Sequence, residues 1–124
     1  MDAYKLTDKW VAKTLTEEDI GKYLYENIHA FQYHDAETIT HVSECCFQIY
    51  QWSTNQVPYL GDFLNAIVKD NLTEAAHRAD AMNRTALWLY VAVLYNIAPA
   101  GWRNPNKEEG ESCKDLFFRN RWRK

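Results

Sequence analysis

Glycine and proline are scarce in this chain, four and three residues in 124. That argues against a β-sandwich, whose many tight turns draw on both. Cysteine is scarce too: Cys45, Cys46 and Cys113 are odd in number, and no Cys-x-x-Cys spacing occurs. Neither a structural zinc site nor a thioredoxin-type pair is therefore indicated. Two adjacent cysteines are not expected to share one helical core face, and unpaired thiols point to a reducing, cytoplasmic compartment. The opening residues, MDAYKLTDKW, lack a basic segment followed by an apolar one, so no signal peptide is read there. Gly-x-Ser-x-Gly and phosphate-binding glycine patterns do not occur, and there are four histidines in all. No catalytic residue and no cofactor site follows from such a set, and the chain is read as not an enzyme.

A membrane span is also excluded. Residues 85–102, TALWLYVAVLYNIAPAGW, carry no charge, but the apolar run proper covers only residues 86–95. A bilayer needs about 17–25 residues, and Asn96 and Pro99 interrupt this run. A helix hydrophobic on all sides belongs at the centre of a packed domain.

What is present is helical periodicity. Thr16, with Asp19 three residues on, marks a helix start with acids in its first turn. Ile20, Leu24, Ile28 and Phe31 then fall within about 80° on one face. Residues 35–52 contain strand-favouring Ile, Thr, Val and Phe, yet Ile39, Val42, Cys46, Ile49 and Tyr50 share a helical face opposite Glu37, His41, Glu44 and Gln48. A period of two would mix the groups, so the spacing predicts a helix capped by Asp35, with Cys45 flanking its acidic side. Residues 57–71 predict a helix with Pro58 near its first turn, Leu60, Phe63, Leu64, Ile67 and Val68 inward, and Asn71 as its stop. Residues 72–82 predict another, with Ala75, Ala76, Ala79 and Met82 on one face and Glu74 paired with Arg78. A short N-terminal helix is expected with Thr7 as cap. The expected fold is all-α: one domain over residues 1–124, five or more helices around a central apolar helix at 84–97. A polar loop at 99–111 and a basic aromatic tail at 112–124 complete it. The aromatic share, 15% with 5 Trp and 8 Tyr, is read as a small core filled with large side chains.

Glu26/His29 and Glu74/His77 have the Glu-x-x-His spacing of di-iron bundles, and His41/Glu44 the reverse. These residues lie away from the apolar faces of their helices, so no metal site is expected. Charge is more informative. Residues 14–68 hold eight acids against Lys22, a net of −7, whereas residues 112–124 hold five cations against Asp115, a net of +4. Two candidate interaction surfaces follow: an acidic helix face of Glu37, His41 and Glu44, and a basic tail of Arg119, Arg121, Trp122, Arg123 and Lys124. The tail is expected to pair two copies as a homodimer or to fold onto its own body. The alternative is that it grips nucleic acid, its cations on phosphates and its indole on a base.

Residues 70–102 carry an Asn-Leu pair, an Ala-Asp-x-x-Asn-Arg helix start, a Tyr-Val-x-x-Leu-Tyr-Asn run and an Ala-Pro stop. In these features the segment, about a quarter of the chain, resembles small proteins of unknown function encoded by bacteriophages and prophages. The resemblance implies a phage or mobile-element origin and a bacterial host cell, and it carries over no catalytic residue. The function expected from it is binding of a host or defence protein to inhibit or modulate it. The alternative is a nucleic-acid-associated accessory protein using the tail.

Overall fold

The computed structural model describes residues 2–27 and 34–105, and within them the chain forms seven α-helices and no strand. They are α1 (Ala3–Val11), α2 (Glu17–Asn27), α3 (Ala36–Ser53), α4 (Asp62–Val68), α5 (Leu72–Arg78), α6 (Ala81–Thr85) and α7 (Leu87–Ile97). α2 packs along α3 and α4 along α5, while α7 touches α1, α2, α3 and α6. The all-α bundle around the apolar segment is thus the fold observed.

Most helix starts are set by short polar side chains. Asp2, Asp35, Asn71 and Asp80 each accept a hydrogen bond from the backbone N–H three residues on, at 2.8–3.1 Å, satisfying a donor that the first turn leaves open. Thr16 and Asp19 form a reciprocal box: Asp19 N–H donates to Thr16 Oγ1 at 3.2 Å, and Thr16 N–H to Asp19 Oδ2 at 3.1 Å. Burial pushes the Asp19 carboxyl up, but the Lys9 ammonium at 3.2 Å and the Thr16 donors outweigh it and hold the group below its ordinary value.

Several expected boundaries are corrected. Asp2, not Thr7, caps α1; Thr7 lies inside the helix and donates to the carbonyls of Ala3 and Ile97 at 3.0 and 2.9 Å, tying α1 to the end of α7. α4 starts after Gly61 rather than at Pro58. Asn71, the expected stop of α4, does close that helix through its N–H on the Ala66 carbonyl, and its side chain also caps α5. The single helix expected over 72–82 is two, because Ala79 adopts extended backbone (ψ 138°) and Asp80 caps a new start. The central helix is shorter than 84–97 for the same reason: α6 ends at Thr85, and the chain turns at Ala86 before α7.

The scarce glycines raise the question of how helices end, since a left-handed residue after the last turn is most easily glycine. Three helices manage without one. Lys13 (φ 62°), Asn55 (φ 62°) and Asp70 (φ 55°) take the left-handed position. In each case the next N–H reaches back to the carbonyl five residues earlier: Thr14 to Lys9 at 2.8 Å, Gln56 to Gln51 at 2.7 Å, Asn71 to Ala66 at 3.0 Å. These are Schellman closures built on ordinary side chains. Gly101 (φ 80°) supplies a fourth left-handed turn among the described residues, beyond which Trp102 returns to stack edge-on against Trp10, centroids 6.3 Å apart.

The core joins Leu6 and Trp10 of α1, Ile20, Tyr23 and Leu24 of α2, Ile39, Val42, Cys46, Ile49 and Tyr50 of α3, Leu64 and Val68 of α4, and Leu89, Tyr90, Val93, Leu94 and Ile97 of α7. Ile28 and Phe31, expected beside them, lie outside the described residues. So do residue 106 onward and the whole tail. α7 is not wrapped on every side as its composition suggested: Trp88, Val91 and Tyr95 are 42%, 62% and 86% exposed. Both adjacent cysteines are buried, contrary to expectation. α3 packs against both α2 and α7, and Cys45 lies against Tyr90 of α7, so the buried arc of α3 takes in Cys46 and Cys45 together.

Two stability outcomes follow. Leu89→Ala, at a fully buried site, should cost about 2–5 kcal/mol in urea unfolding, and Leu94→Ala a similar amount, whereas Val91→Ala should cost under about 1 kcal/mol; equal losses at Leu89 and Val91 would refute the burial pattern. Lys13→Gly should raise stability by about 0.5–1 kcal/mol, because it relieves a left-handed backbone that costs a side-chain-bearing residue roughly 1–2 kcal/mol.

Candidate functional site

The acidic face expected on α3 forms one wall of a shallow open groove. Ala36, Glu37, Thr40, His41 and Glu44 line it from α3, and Met82 of α6 lines it opposite, enclosing about 420 Å³. Helical spacing explains the α3 wall, since residues 37, 40, 41 and 44 recur every three or four positions. The opposite wall exists because Asp80 restarts the helix after Ala79, its carboxylate receiving the Asn83 N–H at 2.8 Å. Glu37 and Glu44 are exposed and His41 is half-buried. Among the described residues neither glutamate has a salt-bridge partner, in contrast to Asp19 with Lys9, and Asp62 and Glu74 with Arg78.

Beneath the groove runs a line of polar side chains from the surface into the core. His41 Nε2 lies 3.6 Å from Cys45 Sγ, one helical turn along α3. The Cys45 thiol also lies against the hydroxyl of Tyr90, which donates to Asn83 Oδ1 at 2.6 Å. Tyr90 and Asn83 are both buried, and a buried polar group without a partner costs about 1–3 kcal/mol, so the chain of contacts fixes α6 and α7 against α3.

A cysteine beside a histidine invites a nucleophile reading, and the electrostatics oppose it. Burial pushes the Cys45 thiol up, only partly offset by Tyr90, and the Glu44 and Asp80 carboxylates push it further up. Burial and the neighbouring Cys45 drive Cys46 higher still, and burial raises Tyr90. A thiolate is the attacking species, so these thiols are held in their inert form. Among the described residues no group of three or more His, Cys, Asp or Glu side chains stands at a spacing that could hold a metal ion. None of the described helices is long and apolar enough to cross a membrane.

A second exposed surface reaches the N-terminal end of α3. Trp88 Nε1 donates to His34 Nε2 at 3.0 Å, with the two rings 5.8 Å apart, and His34 immediately precedes the Asp35 cap. From Trp88, the exposed side of α7 continues through Val91 to Tyr95 at helical spacing. The structure therefore brings together Glu37, His41 and Glu44 as expected. It adds Met82 and the α7 stripe, which the sequence reading had assigned to an alanine face and to the buried core. The cap pattern at Asp80 was a legible sign of the restart that frees Met82; nothing local marked the exposure of Val91 and Tyr95. Arg119, Arg121, Trp122, Arg123 and Lys124 lie outside the described residues.

Comparison of the chain with protein-family models, curated proteins and solved structures finds no match to any of them.

The inertness of the thiols is directly measurable. In the native chain at pH 8, Cys45 and Cys46 should react with a maleimide or iodoacetamide at least ~100-fold more slowly than in urea. Rapid native labelling at Cys45, read by peptide mass spectrometry, would restore the nucleophile reading.

Proposed function

We infer that this chain is a protein-binding module that holds a host or defence protein and thereby inhibits or modulates it. The observation carrying this reading is an acidic groove, whose glutamates have no salt-bridge partner among the described residues, beside an exposed aromatic stripe that reaches the start of α3 through Trp88 and His34. Interfaces concentrate their energy in aromatic anchors, Trp and Tyr above all, surrounded by polar groups that set orientation and partner choice. Trp88, Val91 and Tyr95 supply anchors of that kind, and Glu37 and Glu44 a rim of one sign. The partner segment that fits is cationic with an apolar side chain for Met82. The raised thiols weigh against a nucleophile at Cys45 beside His41. The resemblance of residues 70–102 to phage-encoded proteins supports a partner in the bacterial host cell, and hence a cytoplasmic site of action.

The test is capture from bacterial lysate with tagged full-length chain, beside a Glu37→Lys/Glu44→Lys variant and a Tyr95→Ser variant. All three positions are exposed, so folding should change by no more than about 0.5 kcal/mol, checked by circular dichroism. A protein retained by the parent chain should be lost roughly tenfold or more by each variant. Equal retention by all three would remove these surfaces from the reading. Recovery of nucleic acid instead, released steeply by salt, would favour the accessory-protein alternative.

A further inference from the structure

We propose that the α3–α6 groove is occupied, before any partner arrives, by the chain's own basic tail, residues 112–124, folding back within the same molecule. The proposal rests on the reading of the groove as a binding surface and names its resident occupant.

Charge is the first argument. Glu37 and Glu44 lack cationic partners among the described residues, while Arg119, Arg121, Arg123 and Lys124 crowd four cations into six positions of the tail. The acidic body makes cations the favoured occupants, and guanidinium groups match carboxylates in a planar, two-point fashion. Shape is the second. Met82 forms the apolar wall opposite the glutamates, and Trp122 is the aromatic residue set among the tail cations. A thioether against an indole is a favourable pairing.

Reach is the third argument, and it favours the same chain over a second copy. The described structure ends at Pro105, whose carbonyl is held by Asn55 Nδ2 at 2.8 Å, just past the C-terminal end of α3. Glu44 and Glu37 lie eleven and eighteen residues back along that helix, or about 17 and 27 Å at 1.5 Å per residue. Arg119 comes fourteen positions after Pro105, a length that spans at most ~46–50 Å and has a coil average of ~20 Å. A tether whose average span matches the gap gives the highest effective concentration, in the millimolar range, for an intramolecular contact. Exposed ion pairs too weak to join separate molecules at micromolar concentration suffice under that tether. A partner presenting its own cationic segment then has to displace the tail, which makes the tail a built-in competitor.

The experiment is zero-length carbodiimide cross-linking of the full-length chain, which joins carboxylates to lysine amines, on an equimolar mixture of ¹⁴N- and ¹⁵N-labelled protein. Links from Lys114 or Lys124 to Glu37 or Glu44 should be enriched roughly tenfold over the same chain in urea, as a tethered contact requires. They should join peptides of one isotope only. Arg121→Glu/Arg123→Glu should remove the enrichment while circular dichroism stays unchanged. Absence of enrichment, or links from the tail to other carboxylates at equal yield, would overturn the proposal. Mixed-isotope links would overturn it too, and would establish pairing between two copies. None of these outcomes bears on partner capture by the groove and stripe, so failure of this proposal and failure of the function reading are separately visible.

Discussion

The structure depends on the burial of one side of α7. Leu89, Tyr90, Val93, Leu94 and Ile97 lie along that side, and each large apolar side chain removed from water contributes about 1.5–3 kcal/mol. No single neighbour covers so broad an arc. α1, α2, α3 and α6 share the task, and their order around α7 is what makes the chain one body. Thr7 bonding to the Ile97 carbonyl and Trp10 wedged between Tyr50 and Trp102 bring α1, the C-terminal end of α3 and the chain after α7 to one point.

Short helices need closely spaced stops, and the chain makes them with few flexible residues. Placing Lys13, Asn55 and Asp70 in left-handed backbone accepts local strain in exchange for satisfied carbonyls at three helix ends. The geometry of one such stop, after α4, puts Asn71 where it both closes that helix and caps the next. That economy explains how α4 and α5 pack together with only two residues intervening between Lys69 and Leu72.

The same restarts shape the surface. Because Ala79 leaves helical geometry and Asp80 begins α6, Met82 faces α3 across an open groove. The Asn83–Tyr90–Cys45–His41 contacts hold that wall in place from below. The buried polar residues thus serve rigidity, while Glu37 and Glu44 with the α7 stripe remain on the surface.

Much of this was legible without coordinates. The helix class, the buried face of α3, the Thr16–Asp19 box, the Asp35 cap and the Glu74–Arg78 pair follow from local spacing, because an i to i+3 or i+4 relation is fixed by the helix itself. Glu37, His41 and Glu44 sharing a face is the same kind of inference. What could not be read locally depended on neighbours. Cys45 is buried because α7 also covers α3, and Val91 and Tyr95 are exposed because no described helix covers the far side of α7; residue type alone fixes none of these three outcomes. The break at Ala79 turned on a competition between a long alanine-rich helix and a cap at Asp80, which packing of α6 against α7 resolved. The sequence by itself determined which residues form helices and which faces are apolar, since these are set within one turn of backbone. Only the tertiary structure decided which apolar faces find a partner, and therefore which of them remain as surface.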